Sequence, residues 1–246
     1  MPDLTITIAG SGDAFGSGGK MNTCFHIKTA KQKFLIDCGA SSVVALKRQN
    51  LTVQDLDYVF ISHLHGDHFG GLPFLILDSI QNSRNKTVTI VGPQDIEERT
   101  WQLFDLLYPG SVQTIDKSKF LFRTYISFEE FTIGHLSVKP IPVIHSETTY
   151  PHGLRIKIGG KVLGYSGDSS WTDSLINIAS NTDLFICECC YYDLNVKGHL
   201  NYITLLEKLP ILNAKRILLT HMDQQLLNRI DELALESAFD GMIITL

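Results

Sequence analysis

The six residues His63-Leu64-His65-Gly66-Asp67-His68 constrain this chain more than any other stretch. They hold three imidazoles and a carboxylate, directly behind the apolar run Tyr58-Val59-Phe60-Ile61, which reads as a buried strand. The cluster therefore sits where a strand ends and a turn begins. Gly66 lets the backbone turn sharply, and Gly70-Gly71 follow soon after. Such a turn can point alternate side chains at one spot, and nitrogen and carboxylate donors meeting there suit a divalent metal such as zinc. A polar turn of satisfied histidines is the alternative. It would account for a single histidine, but poorly for three with an aspartate at this spacing.

The rest of the chain reads as strands alternating with helices. Strand patterns cover Leu4–Ala9, Cys24–Thr29, Lys33–Asp37, Thr87–Val91, Phe120–Phe131, Leu136–Val143, Leu154–Ile158, Val162–Tyr165, Leu184–Cys190, Lys215–Thr220 and Met242–Leu246. Helical spacing covers Ser41–Gln49, Leu72–Gln81, Asp95–Tyr108, Ser174–Ser180, Ile203–Leu209 and Gln224–Glu236. Hairpins within both halves imply antiparallel or mixed pairing, and the whole argues for sheet layers covered by helices. With 246 residues, 44% of them hydrophobic, the chain can bury a large core, and residues 1–246 are read as a single domain.

Several function classes fall away on composition. The formal charge is −5 and no run of lysine and arginine is present, so the basic stripe of a protein gripping a long nucleic acid is missing. No basic stretch precedes an apolar segment at the amino terminus and no apolar run approaches a membrane span, so a soluble cytoplasmic protein with no membrane partner is expected. The five cysteines, Cys24, Cys38, Cys187, Cys189 and Cys190, are an odd number without an export signal and read as buried thiols, not as disulfides or a zinc knuckle. The segment Gly10-Ser11-Gly12-Asp13-Ala14-Phe15-Gly16 fails both nucleotide-loop patterns: its third glycine is late for a dinucleotide fingerprint, and Lys20 precedes Met21 instead of Ser or Thr. It reads as a glycine-rich loop beside the site.

Further candidate ligands lie at strand ends: His145 behind Pro140–Ile144, Asp168 behind Val162–Gly167, His221 behind Ile217–Thr220, and Asp37 behind Phe34–Ile36. One polar residue in such a place means little, but the same placement at every one of these strands points to one shared edge, where sites in α/β folds gather.

These residues, in this order and each with a strand before it, make the chain resemble the metallo-β-lactamase fold superfamily nearly end to end. Tyr165-Ser166-Gly167-Asp168-Ser169, Cys187-Glu188, Gly198-His199-Leu200 and Leu219-Thr220-His221-Met222 make it most similar to the ribonuclease Z and cyclic-phosphodiesterase branch. The resemblance implies a four-layer αββα sandwich, mixed sheets with helices outside, and two divalent metal ions at its upper edge. It implies one ion on His63, His65 and His145, the other on Asp67, His68 and His221, with Asp168 bridging and Asp37 steadying the ligand loop from behind. Zinc is the expected metal, and the same donors would suit Mn2+ or Fe2+. The catalytic residues it implies are Asp67, orienting or deprotonating the attacking water, His199 at the scissile phosphate, and Glu188 orienting His199.

The resemblance thus implies a hydrolase that uses metal-activated hydroxide, with phosphodiester cleavage first and thioester or lactone hydrolysis as the alternative. A β-lactamase usually carries cysteine where Asp168 stands, and oxygen-reducing di-iron relatives usually carry glutamate where His65 stands, together with a flavin domain. Phe69–Ile144 holds no long glycine- and proline-rich arm of the kind that grips transfer RNA, and Cys187–Tyr192 departs from the ribonuclease Z pattern. A small or cyclic phosphodiester or a short RNA is therefore expected, with transfer RNA disfavoured. Homodimers are common in that branch, though no feature of this sequence demonstrates one. His26, His135, His152 and Arg155 are left outside the site.

Overall fold

The computed structural model describes residues 4–246. In chain order the first half holds β1 (Thr5–Gly10), β2 (Cys24–Lys28), β3 (Lys33–Ile36), α1 (Ser42–Arg48), β4 (Tyr58–Phe60), α2 (Gly66–Phe69), α3 (Leu72–Gln81), β5 (Val88–Gly92), α4 (Ile96–Leu107) and β6 (Phe120–Thr124). The second holds β7 (Phe131–Ile133), β8 (Leu136–Pro142), β9 (His152–Ile158), β10 (Lys161–Tyr165), α5 (Ser174–Ala179), β11 (Leu184–Glu188), α6 (Tyr202–Leu212), β12 (Ile217–Thr220), α7 (Gln224–Leu227), β13 (Glu236–Ser237) and β14 (Ile243–Thr245).

The strands form two seven-stranded sheets, ordered β14-β1-β2-β3-β4-β5-β6 and β13-β12-β11-β10-β9-β8-β7. In the first, β1 to β3 pair antiparallel and β3 to β6 parallel. In the second, β7 to β10 pair antiparallel and β10 to β13 parallel. Parallel neighbours need crossover connections, which α1, α3, α4, α5 and α6 supply. These helices lie outside, so the architecture is the αββα sandwich.

Alternation along each strand divides the core into three layers. Phe34 and Ile36 of β3, Phe60 of β4, Tyr165 of β10, Leu184 and Ile186 of β11 and Leu218 of β12 meet between the sheets. Their neighbours Leu35 and Val59 turn outward to Leu46, Leu72, Leu75 and Ile76. On the other side Phe185, Cys187 and Leu219 turn outward to Leu175, Ile178 and Leu205. Phe25 and Tyr165 join the two sheets edge to face, with ring centroids 5.3 Å apart at 81°. Full burial of a large apolar side chain contributes roughly 1.5–3 kcal/mol, so this inner layer is what fixes one sheet on the other.

α3 spans the expected Leu72–Gln81. Pro73 occupies its first turn, where the missing N–H is harmless, and Leu72, Leu75, Ile76 and Ser79 are buried along one face. The expected Gln224–Glu236 helix is corrected. α7 stops at Leu227, a short 3-10 turn follows at Ile230–Glu232, and Glu236–Ser237 pairs with Leu218–Leu219 as the edge strand β13. Leu226, Ile230 and Leu233 mimic helical spacing, but the open edge of β12 and the apolar layer that receives Leu233 and Leu235 take this segment instead. Among the described residues no helix is long and apolar enough to cross a membrane.

Candidate metal centre

The carboxyl ends of the parallel strands open at one edge of the sandwich, and the polar residues singled out in the sequence stand there. Asp37 directly follows β3, and Glu188 is the last residue of β11. His63, His145 and Asp168 each come three residues past a strand end, of β4, β8 and β10, and His221 directly follows β12. Asp37 and His221 hold positive φ, 58° and 61°, a strained backbone for residues with a Cβ.

Two groups of donors converge. His63, His65 and His145 form one, and Asp67, His68, Asp168 and His221 the other, with the ligand atoms of each group within 4.8 Å of one another. In the first group His65 Nδ1 is 3.2 Å from His63 Nε2 and 2.9 Å from His145 Nε2. In the second, Asp67 Oδ2 is 3.2 Å from both His68 Nε2 and His221 Nε2. Asp168 lies between them: Oδ1 is 3.3 Å from His68 Nε2, while Oδ2 is 3.3 Å from His221 Nε2, 3.8 Å from His63 Nε2 and 3.9 Å from His145 Nε2. Ligands about 2.1 Å from a tetrahedral ion stand about 3.4 Å from each other, so these separations fit. His68 Nε2 and Asp168 Oδ1 are buried without a hydrogen-bond partner, which a polar atom tolerates poorly unless something else satisfies it. The residues present could hold two divalent ions of the kind bound by nitrogen and oxygen.

The hydrogen bonds behind the cluster set the tautomers. Asp37 accepts from Ser62 N–H (2.7 Å), Ser62 Oγ (2.8 Å), His68 Nδ1 (2.7 Å) and Tyr165 OH (2.7 Å). Because the Ser62 hydroxyl donates to Asp37, it accepts from His63 Nδ1–H at 3.0 Å. His145 Nδ1–H donates to the Gly198 carbonyl at 2.7 Å. Protons on these Nδ1 atoms leave the Nε2 lone pairs of His63, His68 and His145 facing the centre. Gly198 must be glycine: its φ is 92°, and a Cβ would sit 2.7 Å from His145 Nδ1.

The electrostatics follow from burial and neighbours. Burial and His68 push His63 well below the ordinary imidazole value, and burial with His145 lowers His65. At His68 and His221 burial also opposes charge, but Asp168 and Asp67 outweigh it and raise both well above that value. Asp168 is held well below the ordinary carboxylate range, since His221 and His68 overcome its burial. The two aspartates thus create a field that calls for positive charge at the second group.

Beside this cluster His199 donates from Nδ1 to Glu188 Oε1 at 2.8 Å. Glu188 is 1% exposed and also accepts from Ser169 N–H (3.2 Å) and Cys190 N–H (2.9 Å). His199 stacks on His221 (5.6 Å, 17°) and stands edge-on to His145 (4.9 Å, 75°), with 20% of its side chain exposed. Burial disfavours its charge, but the hydrogen bond and charge of Glu188 prevail and raise its pKa.

A cavity of about 570 Å³ opens over Asp67, Asp168, His199 and His221. The glycine-rich loop lies on its rim, where the sequence placed it, through Asp13, Phe15 and Ser17. Sequence reasoning missed Ser62 and Tyr165 as partners of Asp37, and Phe15, Tyr191 and Gln225 as lining of the cavity. Ser62 was within reach, since it immediately precedes His63 and follows the strand. Tyr165 reaches Asp37 from the other sheet, across 128 positions, and no local pattern reports that. Among the described residues no metal-capable group contains His26, His135 or His152. Arg155 donates to the Ile178 carbonyl at 3.0 Å, on the helix side of the second sheet. All five cysteines are buried free thiols.

Comparison with known proteins agrees with this architecture. The sequence matches "Probable metallo-hydrolase YhfI" of Bacillus subtilis at 28% identity over 227 residues, covering 89% of this chain and 87% of that one. A ribonuclease Z of Parabacteroides distasonis is 34% identical over 110 residues, a match that covers 45% of this chain and only 36% of that enzyme. In three dimensions the crystal structure of YhfI, a metallo-β-lactamase fold protein, superposes with a TM-score of 0.81 at 22% identity and full coverage of both chains. Human tRNase Z, short form, gives 0.77 at 23% identity and 98% coverage of each. The family described as "Anti-Pycsar protein Apyc1" matches residues 4–238. The chain has the metallo-β-lactamase fold and belongs to the Anti-Pycsar protein Apyc1 family.

Proposed function

We propose that this protein is a dinuclear metal-dependent phosphodiesterase acting on a small or cyclic phosphodiester or a short RNA. The observation that carries the reading is the His199–Glu188 pair, which stands outside both donor groups yet packs against His145 and His221 and faces the cavity. The hydrogen bond and charge of Glu188 raise the pKa of His199 and so favour its protonated form. A phosphodiester expels an alkoxide, a strong base that needs a proton as it leaves. A thioester expels a thiolate of pKa about 8.5, which needs none. A proton donor held by a buried carboxylate therefore favours the diester over the thioester. The relatives named ribonuclease Z point the same way.

In this reading His63, His65 and His145 would hold one ion and Asp67, His68 and His221 the other, and Asp168, whose carboxylate lies between the two groups, would serve both. Zinc suits these donors, as do Mn2+ and Fe2+. Such ions polarise phosphoryl oxygens and bring the pKa of water from about 15.7 to roughly 7. Asp67 orients the attacking water and accepts its proton. His199 hands its proton to the departing oxygen while Glu188 keeps the ring aimed. Asp37 holds His68 and, through Ser62, His63. The cavity of about 570 Å³ is the size of a small-ligand site and supports a compact substrate over a folded RNA.

The test is hydrolysis of bis(p-nitrophenyl) phosphate by zinc- or manganese-loaded protein, beside a thioester and a lactone, with Asp168→Ala as control. Diester turnover that vanishes in the control supports the reading. Turnover of the thioester or lactone with silence on the diester overturns it.

A further inference from the structure

The face of the second sheet that looks away from the first carries a cavity of about 380 Å³, and none of its lining residues lines the cavity over the metal centre. Along β8 and β9 the pleat turns Val138, Leu154 and Ile156 into the inner layer, so Lys139 and Arg155 turn outward. The register sets these two cations directly opposite each other on neighbouring antiparallel strands. Like charges in that position repel and lower stability, unless something of opposite sign lies between them.

No carboxylate among the described residues supplies that sign. Neither cation forms an ion pair there, and the one side-chain hydrogen bond of the two runs from Arg155 to the Ile178 carbonyl at the edge of α5 (3.0 Å). Glu130 lines the same cavity but is already taken: it accepts from Lys157 Nζ at 2.8 Å and from the Ser137 hydroxyl. The cavity thus gathers three cations, Lys139, Arg155 and Lys157, against one carboxylate, in a chain whose formal charge is −5. Burial lowers the pKa of Arg155, and the Glu130 charge only partly offsets it. The remaining N–H groups of that planar fork match the oxygens of an anion.

Two unpaired positive charges call for a dianion. A carboxylate or a phosphodiester carries one negative charge, whereas a phosphate monoester carries about 1.5–2 near neutrality. The Asn177 amide on the cavity wall can donate to a further oxygen, and exposed Phe128 offers an apolar face to whatever the phosphate is attached to. The volume falls within the range of small-molecule sites, roughly 300–1,000 Å³. We propose that Lys139 and Arg155 bind a phosphate dianion, free or on a small monoester, at a site separate from the metal centre. Hydrolysis of a phosphodiester yields such a monoester, so the site matches the product of the proposed reaction, yet its charge argument stands without that reading.

The test is urea unfolding of the zinc-loaded protein near neutral pH as phenyl phosphate is added. A ligand that binds only the folded chain raises the midpoint, and its Kd follows from the dependence on concentration. Binding at the metal centre adds equally to wild type and to Lys139→Gln and cancels in their difference. That difference should show an affinity about tenfold weaker in Lys139→Gln, restored in Lys139→Arg. Dimethyl phosphate, a monoanion, should show no such difference. Before any ligand is added, Lys139→Gln should unfold at higher urea than wild type, because the opposed charges are gone. Inorganic phosphate run in parallel names the source: a Kd as tight as that of phenyl phosphate assigns free phosphate, and a weaker one assigns the ester. Equal rises in wild type and Lys139→Gln, no rise in wild type, or an unliganded midpoint that does not increase in Lys139→Gln would each overturn the proposal.

Discussion

Asp37 and Glu188 are both buried carboxylates at the carboxyl end of a parallel strand, one in each sheet, and each accepts from a histidine Nδ1. They differ in what surrounds that imidazole. His68, held by Asp37, is completely enclosed, and its Nε2 faces Asp67 and Asp168. His199, held by Glu188, keeps part of its surface open to the cavity. The other donors differ as well. Asp37 joins the sheets, taking Ser62 from the first and Tyr165 from the second, whereas Glu188 gathers only groups that follow β10 and β11. On the proposed reading the same carboxylate–imidazole unit would fix a ligand where the ring is enclosed and ready a proton donor where the ring meets solvent.

The largest effect is expected at the exposed ring. His199→Ala should retain its zinc, measured by elemental analysis, while kcat on a diester that expels an alkoxide, such as a dinucleotide, falls by about 10²–10⁴. Full activity in that variant would erase the distinction between the two imidazoles. Next comes the enclosed unit. Asp37→Ala should weaken zinc binding by roughly 10–100-fold in a competition titration, because His68 loses its partner and Ser62 loses its acceptor. Glu188→Gln should instead spare zinc affinity and lower kcat. Equal losses of zinc affinity in Asp37→Ala and Glu188→Gln would break the comparison.

The smallest effect lies at a buried histidine that neither carboxylate holds. Burial pushes His26 down to about 4, the opposite of what Asp168 does at His68 and His221. Its folded pKa lies below its unfolded value, so between the two values the unfolded chain binds more protons. Stability is therefore full above the unfolded value and falls as pH drops towards 4. His26→Leu should lose about 1 kcal/mol less than wild type between pH 7 and pH 5.5, read from urea unfolding. An identical pH dependence in the two proteins would remove His26 as the cause.

Much of this arrangement was legible in the sequence because it is local. The strand before His63, the strands before His145, Asp168 and His221, and the buried face of α3 are all written in nearest-neighbour apolar patterns. What escaped was decided by distant partners. Leu226, Ile230 and Leu233 keep a helical period, yet β12 offers an open edge that takes Glu236–Ser237 as a strand. The Tyr165 hydroxyl finds Asp37 only because the inner layer presses one sheet on the other. Phe15 looks in sequence like any residue of a glycine-rich turn, and its place on the rim comes from a cavity assembled from both halves of the chain.

The most direct test of the central claim is turnover of bis(p-nitrophenyl) phosphate as zinc is titrated into metal-free protein. Activity should rise to a plateau at two ions per chain, and Asp168→Ala should show no such plateau, because that carboxylate lies between the two donor groups. A plateau at one ion per chain, or no diester turnover at saturating zinc, would contradict the account.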